Sequence, residues 1–410
     1  MVRINPSEWR LGRGCLAAAV LGYGAGFGSF VFSSSQFIDP MRQEFGWTAG
    51  EAAFLPISLL VLAFLYPVTG RFTNAYGPRL LSVSGLIGFV ICFVLLATLP
   101  LTVPRLRLIA LCLGVSSAAA GTVPFGRAVV SWFRDNPGFA LGISGSGATL
   151  GGVVGIPLTS YLIAHYGWRA AYLGIAAIIT VVAIPVVWSF LALNPTGARG
   201  VSSADESAGP KKEDKGARWW ADARFWLLSA TVIFSGFAIG IYLNHLSPIL
   251  IRLGFDIQTA SVLGSIFAFT TFFGRMCIGF LLDRGFPQIV AASCLLMATM
   301  GAVIITHFAA GYVIITGLSV VLIALAYGAE ADLAAFFALR FFGEARFSAT
   351  FSILATFIAL AIAAGGVLSS RIVDLYGTYH MAMNAAALAF ALATIAMTMM
   401  GLLIARRSCG

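Results

Sequence analysis

From Gly14 to Ile38 the chain carries no charged residue, and apolar runs of this kind recur almost to its end. An α-helix rises 1.5 Å per residue, so about 20 apolar residues cross the ~30 Å hydrocarbon core of a bilayer. Lipid offers the backbone no hydrogen-bond partner, and a helix of that length satisfies its own N–H and C=O groups. Twelve such segments can be read, at about 14–36, 52–70, 80–99, 107–131, 138–164, 169–193, 224–250, 259–282, 288–308, 311–339, 347–370 and 378–404. A soluble alternative fails on composition. Hydrophobic residues make up 59% and charged residues 10%, against about 45–50% and 25% in soluble domains. So few charges cannot cover a soluble surface of this size. The expected fold is an all-α membrane protein embedded in the lipid bilayer. Its first apolar run follows Arg3, Arg10 and Arg13 but is too long for a signal-peptide core, and it reads as the first span.

The net charge of +9 is scattered between the apolar runs rather than gathered with aromatics into a stripe, which excludes nucleic acid as a partner. The six cysteines form no CxxC pair and no histidine-linked spacing, so neither a disulfide framework nor a metal site is expected. The glycine runs 22–28 and 142–152 lack the lysine–hydroxyl pair of a phosphate loop, and no cofactor is expected. Gly147, Gly151 and Gly155 instead form a four-residue ridge of the kind that lets membrane helices approach closely.

With both termini cytoplasmic, the inner segments hold 17 Lys and Arg and the outer ones 6, the bias that sets orientation. The polar stretch 194–222 is a cytoplasmic linker by composition. It separates one six-helix bundle in 1–193 from a second in 223–410. The two halves resemble each other at an offset near 209. Residues 45–72 lie over 254–281 with Gly70 on Gly279, and Tyr166-Gly167 lies over Tyr376-Gly377. Two matches in the same order argue for duplication of a six-helix unit, hence two pseudo-symmetric bundles.

Charges within spans are the candidate functional residues, because each is costly at membrane depth and needs a partner, water or substrate. These are Arg127, Arg275, Glu330 and Asp332. Glu330 and Asp332 stand ~200° apart around span 10 and face different neighbours. Arg127 has a similar depth in span 4, so it is expected to pair with Glu330 or Asp332 as a gate, or to clamp helices with them. Arg275 has no acidic residue one turn away on span 8, and shares a face with Thr271. It either grips an anionic substrate through its planar fork or closes a distant salt bridge with Glu330 or Asp332. His245, beside Asn244 and Ser247-Pro248, is a candidate for coupling or for a simple helix hydrogen bond. Nothing suggests a nucleophile or paired catalytic carboxylates, so no enzyme is expected.

Residues 70–79, GRFTNAYGPR, resemble the loop 2–3 motif of major facilitator superfamily transporters, with Gly70, Arg71, Gly77 and Arg79 in place and Asn74 at its usual aspartate. GFLLDRG resembles the repeat of that motif in loop 8–9, with Gly279, Asp283 and Arg284. LGSIFAFTTFFGR (263–275), RFFGEARFSATFSIL (340–354) and DLYGTYHMA (374–382) resemble the monocarboxylate transporter and oxalate–formate antiporter branch. The resemblance implies a symporter or antiporter in a bacterial inner (plasma) membrane, moving a small organic monoanion by alternating access, with protons as the candidate coupling ion. It implies that Arg275 binds substrate carboxylate and that Tyr327 contacts substrate. Two features depart from the branch: Thr271 stands where animal members carry aspartate, and no span contains a lysine. The alternative is a superfamily exporter of amphipathic drugs or neutral solutes.

Overall fold

The structure is a computed structural model that describes residues 6–47, 51, 55–194, 220, 222–284 and 286–408. The linker 194–222 therefore lies almost wholly outside the described residues. Those described are helical apart from short turns. Ten of their helical stretches are long and apolar enough to cross a membrane. Two of them, Pro137–Phe190 and Val313–Val373, have 54 and 61 residues, well over twice the length one crossing needs. Each is broken by a glycine in a backbone region that side chains exclude: Gly167 has φ 83° and ψ 164°, Gly343 φ 75° and ψ 171°. Counting each as two gives the twelve spans expected.

Local chemistry explains the helix starts. Proline occupies the first turn at Pro78, Pro104, Pro137 and Pro287, where its missing N–H removes no intrahelical bond. Span 7, Ala223–Arg252, begins at Asp222, whose carboxylate accepts from the Arg224 N–H at 2.9 Å. Span 1 is longer and less regular than expected. Helix Pro6–Tyr23 passes through a π turn at Gly24–Gly28, an α turn at Ser29–Ser33 and a 3-10 turn at Ser34–Phe37 before ending with Ile38–Phe45. The repeat is visible in the backbone. Gly167 and Gly377, from the two Tyr-Gly pairs, both take positive φ, each between the fifth and sixth helix of its half.

By packing, the described residues group into two compact units: Arg3–Glu213 with Glu344–Ile353, and Asp214–Gly343 with Leu354–Gly410. The start of span 11 thus belongs with spans 1–6. Within the first unit, spans 2 and 3 pack on span 4, and span 1 crosses span 5 backbone to backbone. A Cβ on Gly151 would overlap the Gly24 carbonyl, which accounts for the glycine ridge. The second unit repeats this crossing between spans 7 and 11, where a Cβ on Gly240 would overlap the Ile362 carbonyl. Span 12 there packs on spans 7 and 9.

The end of the first unit where span 1 finishes and span 6 begins is tied by Glu44. Its carboxylate accepts from Trp168 Nε1 at 2.7 Å and Arg169 Nη1 at 2.8 Å, and Arg169 also lies over the Trp168 ring. The Arg169 hydrogen bond holds the Glu44 carboxyl below its ordinary range, assisted by Trp168.

Candidate functional site

Spans 8 and 10 meet because Gly328 has no side chain. A Cβ there would lie 2.6 Å from the Thr271 carbonyl and 3.2 Å from the Arg275 nitrogen. This approach lays the Arg275 side chain along span 10. Its Nε donates to the Gly328 carbonyl at 2.9 Å, and Asp332 Oδ2 lies 3.1 Å from the same nitrogen. Arg275 and Asp332 side chains are 13% and 9% exposed, so the pair is largely withdrawn from solvent. The Nε–H points at Gly328, which leaves Asp332 Oδ2 with a charge contact but no hydrogen bond among the described residues. A buried acceptor in that condition costs about 1–3 kcal/mol. The pair is therefore electrically neutral, with one buried carboxylate oxygen that accepts no hydrogen bond among the described residues.

One of the two readings of Arg275 is present in the structure, and one expectation needs correction. The counter-ion of Arg275 is Asp332, which comes from span 10 rather than from one turn away along span 8. Of the two alternatives for Arg275, the salt bridge to Asp332 is present in this state. Arg127 does not meet Glu330 or Asp332. Its Nη1 lies 3.1 Å from Glu344 Oε1, and Arg134 Nη2 lies 3.8 Å from Glu344 Oε2. Glu330 and Asp332 are turned into their own unit, toward spans 7 and 8, while Glu344 follows the Gly343 break and packs with the first unit.

Glu330, as its angular separation from Asp332 requires, faces span 7. Oε1 accepts from Ser235 Oγ at 2.7 Å, and a Cβ on Gly236 would come within 3.1 Å of it. The carboxyl is buried, at 4% exposure. Thr271 is also buried, its hydroxyl donating back to the Phe267 carbonyl at 2.8 Å. The Tyr327 ring stacks on Phe267, with centroids 5.9 Å apart. Spans 8 and 10 so bring together Thr271, Arg275, Tyr327 and Asp332. Chemically, this is a buried cation with a carboxylate partner, on the two spans that also carry an aromatic hydroxyl.

His245 stands apart from that group. Its Nε2 lies 3.1 Å from the Gly366 carbonyl and 3.2 Å from Ser370 Oγ, and Nδ1 lies 3.3 Å from the Tyr379 hydroxyl. The carbonyl can only accept, so Nε2 carries the hydrogen and Nδ1 accepts from tyrosine. In the motif loops, Gly77 takes φ +82° and Arg79 Nε donates to the Leu191 carbonyl at 2.8 Å. A Cβ on Gly70 would overlap the Ser348 carbonyl in the segment that carries Glu344. Arg71 and Asn74 are exposed, Gly279 is buried, Asp283 is half-buried, and Arg284 covers the Phe280 ring at 3.9 Å. The described residues contain no group of three or more His, Cys, Asp or Glu placed to hold a metal ion.

The Arg127–Glu344 pair was the contact that sequence reasoning missed. Its signal is a pair of charges, Arg340 and Glu344, on either side of the 10–11 turn in the RFFGEAR run.

Comparison with known proteins agrees with this architecture. An uncharacterized 38 kDa protein of the 23S RNA operon of Thermoproteus tenax is 31% identical over 192 residues. That match covers 44% of this chain and 43% of the relative, so the chain spans less than half the length of the curated relative it matches. Among solved structures, the transporter FucP in its outward conformation superposes with TM-score 0.67 at 17% identity, over 98% of this chain and 99% of that one. FucP is the E. coli fucose:proton symporter. The human organic anion transporter MFSD10 gives 0.68 at 17% identity, over 96% and 100% of the two chains. The proton:xylose symporter XylE gives 0.71 at 14%, over 94% and 95%. At such identities these likenesses establish the fold. A Major Facilitator Superfamily profile matches residues 16–365, most of the chain. With its apolar spans and buried charges, the chain is an integral membrane protein and a transporter rather than an enzyme, and it belongs to the Major Facilitator Superfamily.

Proposed function

We propose that this secondary transporter carries a small organic monoanion, of the kind moved by the monocarboxylate branch, and that Arg275 receives its carboxylate. The Arg275–Asp332 contact carries the proposal. Asp332 Oδ2 supplies the charge that Arg275 requires without accepting a hydrogen bond among the described residues. A substrate carboxylate brings the same charge and can take the fork in a better aligned geometry. Asp332, once displaced, is a bare carboxylate at membrane depth unless a proton joins it, so one proton accompanies each anion. Thr271 and Tyr327 frame the site. His245 contributes a tie between spans 7 and 11, and Glu330 serves as a second acid on span 10. Glu344 and its two arginines act as the cytoplasmic gate first assigned to Arg127 with span 10. The organic anion transporter MFSD10 and the proton symporters FucP and XylE support anion carriage and proton coupling by fold likeness alone.

The neutrality of the pair favours a second reading, in which a neutral solute is carried and Arg275 is structural. Uptake into proteoliposomes separates the two. Wild-type protein should accumulate a short-chain monocarboxylate such as lactate when the outside is acidic, and fucose or xylose should not replace it. Asp332→Asn should retain lactate exchange but lose its dependence on the pH gradient. Gradient-driven sugar uptake without lactate uptake would establish the neutral reading instead.

A further inference from the structure

Spans 9 (Pro287–His307) and 12 (His380–Ser408) run antiparallel in the second unit and touch along their length. Near one end Gly401 faces Gln288, whose side chain would lie 3.4 Å from a Cβ there. Midway the Thr299 and Thr394 hydroxyls meet at 3.3 Å. At the other end, where span 9 finishes and span 12 begins, this register brings His307 to His380 and Asn384. His380 and Asn384 stand four residues apart and so share a face of span 12.

One amide joins the two imidazoles. His307 Nε2 lies 3.1 Å from Asn384 Oδ1, and Asn384 Nδ2 lies 3.0 Å from His380 Nδ1. The amide oxygen only accepts and its nitrogen only donates, so His307 carries a hydrogen on Nε2 and His380 Nδ1 presents a lone pair. Both ring nitrogens thus face the same small group. The ring centroids are 5.3 Å apart and the planes cross at 81°. Two imidazoles on one tetrahedral ion, with metal–nitrogen distances of ~2.0–2.1 Å, have centroids ~5 Å apart. The rings already stand at the spacing that one shared ion requires.

We propose that His307 Nε2 and His380 Nδ1 bind a divalent transition-metal ion of the zinc class, with Asn384 Oδ1 and water completing its coordination. Imidazole nitrogen suits Zn²⁺, Cu²⁺ and Ni²⁺, whereas Mg²⁺ and Ca²⁺ select oxygen. Binding takes no net proton, because the hydrogen of His307 moves from Nε2 to Nδ1 and the ring stays neutral. Both histidines are exposed, so an ion reaches them from water, and Asn384 is half-buried between the spans. The negative end of the span 9 dipole and the positive end of the span 12 dipole offset each other there, so affinity rests on the nitrogens. The bound ion clips span 9 to span 12. The two histidines are far apart in the chain, which is why no metal-ligand spacing could be read along it. The site shares no residue with spans 8 and 10 and does not depend on the anion reading.

Isothermal titration of ZnCl₂ into the full chain, purified without a histidine tag, tests the site, with MgCl₂ as the hard-ion control. Wild-type protein should bind zinc and not magnesium. His307→Ala and His380→Ala should each weaken zinc at least about 100-fold, since even the outer-shell partner of a ligand is worth about 10- to 100-fold. His165→Ala, in the first unit, should bind zinc as wild type does. Asn384→Asp places a charged oxygen where the amide stood and should tighten zinc about tenfold. That gain cannot arise from misfolding, so it decides the matter should a histidine variant fold poorly. Zinc binding that is absent in wild type, matched by magnesium or unchanged in both histidine variants overturns the site. So does an equal loss in His165→Ala, or an Asn384→Asp that binds no tighter.

Discussion

Arg275 and Asp332 touch at one nitrogen and one oxygen, so substitutions on the two sides of the contact should have unequal effects. Asp332→Asn leaves a buried guanidinium without its counter-charge, and breaking such a pair costs about 3–5 kcal/mol of stability. An anion that binds Arg275 would restore the charge balance. Added lactate should therefore raise the melting temperature of Asp332→Asn more than that of wild type, measured by thermal unfolding in detergent. Arg275→Ala should lose about 10- to 100-fold in anion affinity, and Arg275→Lys should retain a fraction of it, because the point charge persists without the planar fork. Glu44 predicts a pH effect of defined sign. Its folded carboxyl titrates below the ordinary range, so its contribution is present above that range and is lost as pH falls through the folded value. Glu44→Gln should flatten the acid limb of a stability–pH profile below about pH 4, by no more than about 1 kcal/mol because the pair is exposed. At this scale the sequence was informative wherever a charge stood inside a span, since lipid makes that rare. It was silent on pairing. Arg127 and Glu330 share a depth, but Glu344 takes the arginine because the backbone turns at Gly343.

The helix breaks are the next level. Gly167 and Gly343 hold φ and ψ values that cost a side-chain-bearing residue about 1–3 kcal/mol. Nothing lies within 4 Å of either missing Cβ, so the penalty is conformational rather than steric. Gly167→Ala and Gly343→Ala should each lower the melting temperature without changing the oligomeric profile on size exclusion. Gly240→Val tests the opposite case. Its backbone is ordinary, but its Cβ has no room beside Ile362, so folded yield by fluorescence-detected chromatography should collapse. Span boundaries were legible because apolar runs end where polar turns begin; the predicted ends near 164 and 169 bracket the Gly167 break. The rewinding of span 1 was not legible, since a single turn of π or 3-10 winding leaves the run apolar throughout and too short to set a period of its own.

For the whole molecule, the twelve crossings could be read directly because every crossing must satisfy the same thickness of lipid. Orientation rests on the 17-to-6 bias of Lys and Arg. Cysteines introduced as Ser203→Cys and Thr102→Cys in a background lacking the native six should react with an impermeant maleimide from opposite faces, and outside labelling of both would overturn cytoplasmic termini. Less legible was the membership of Glu344–Ile353, which packs with spans 1–6 although it follows span 10 in the chain. Duplication detected by an offset cannot show such an exchange. The two glycine crossings, Gly24 with Gly151 and Gly240 with Ile362, have a further consequence. Contacts made between main chains have no rotamers to release, so they gain nothing from the side-chain disorder that loosens a warming core. Amide deuterium exchange should therefore proceed last at these four positions, with protection factors tracking global unfolding while neighbouring turns already open.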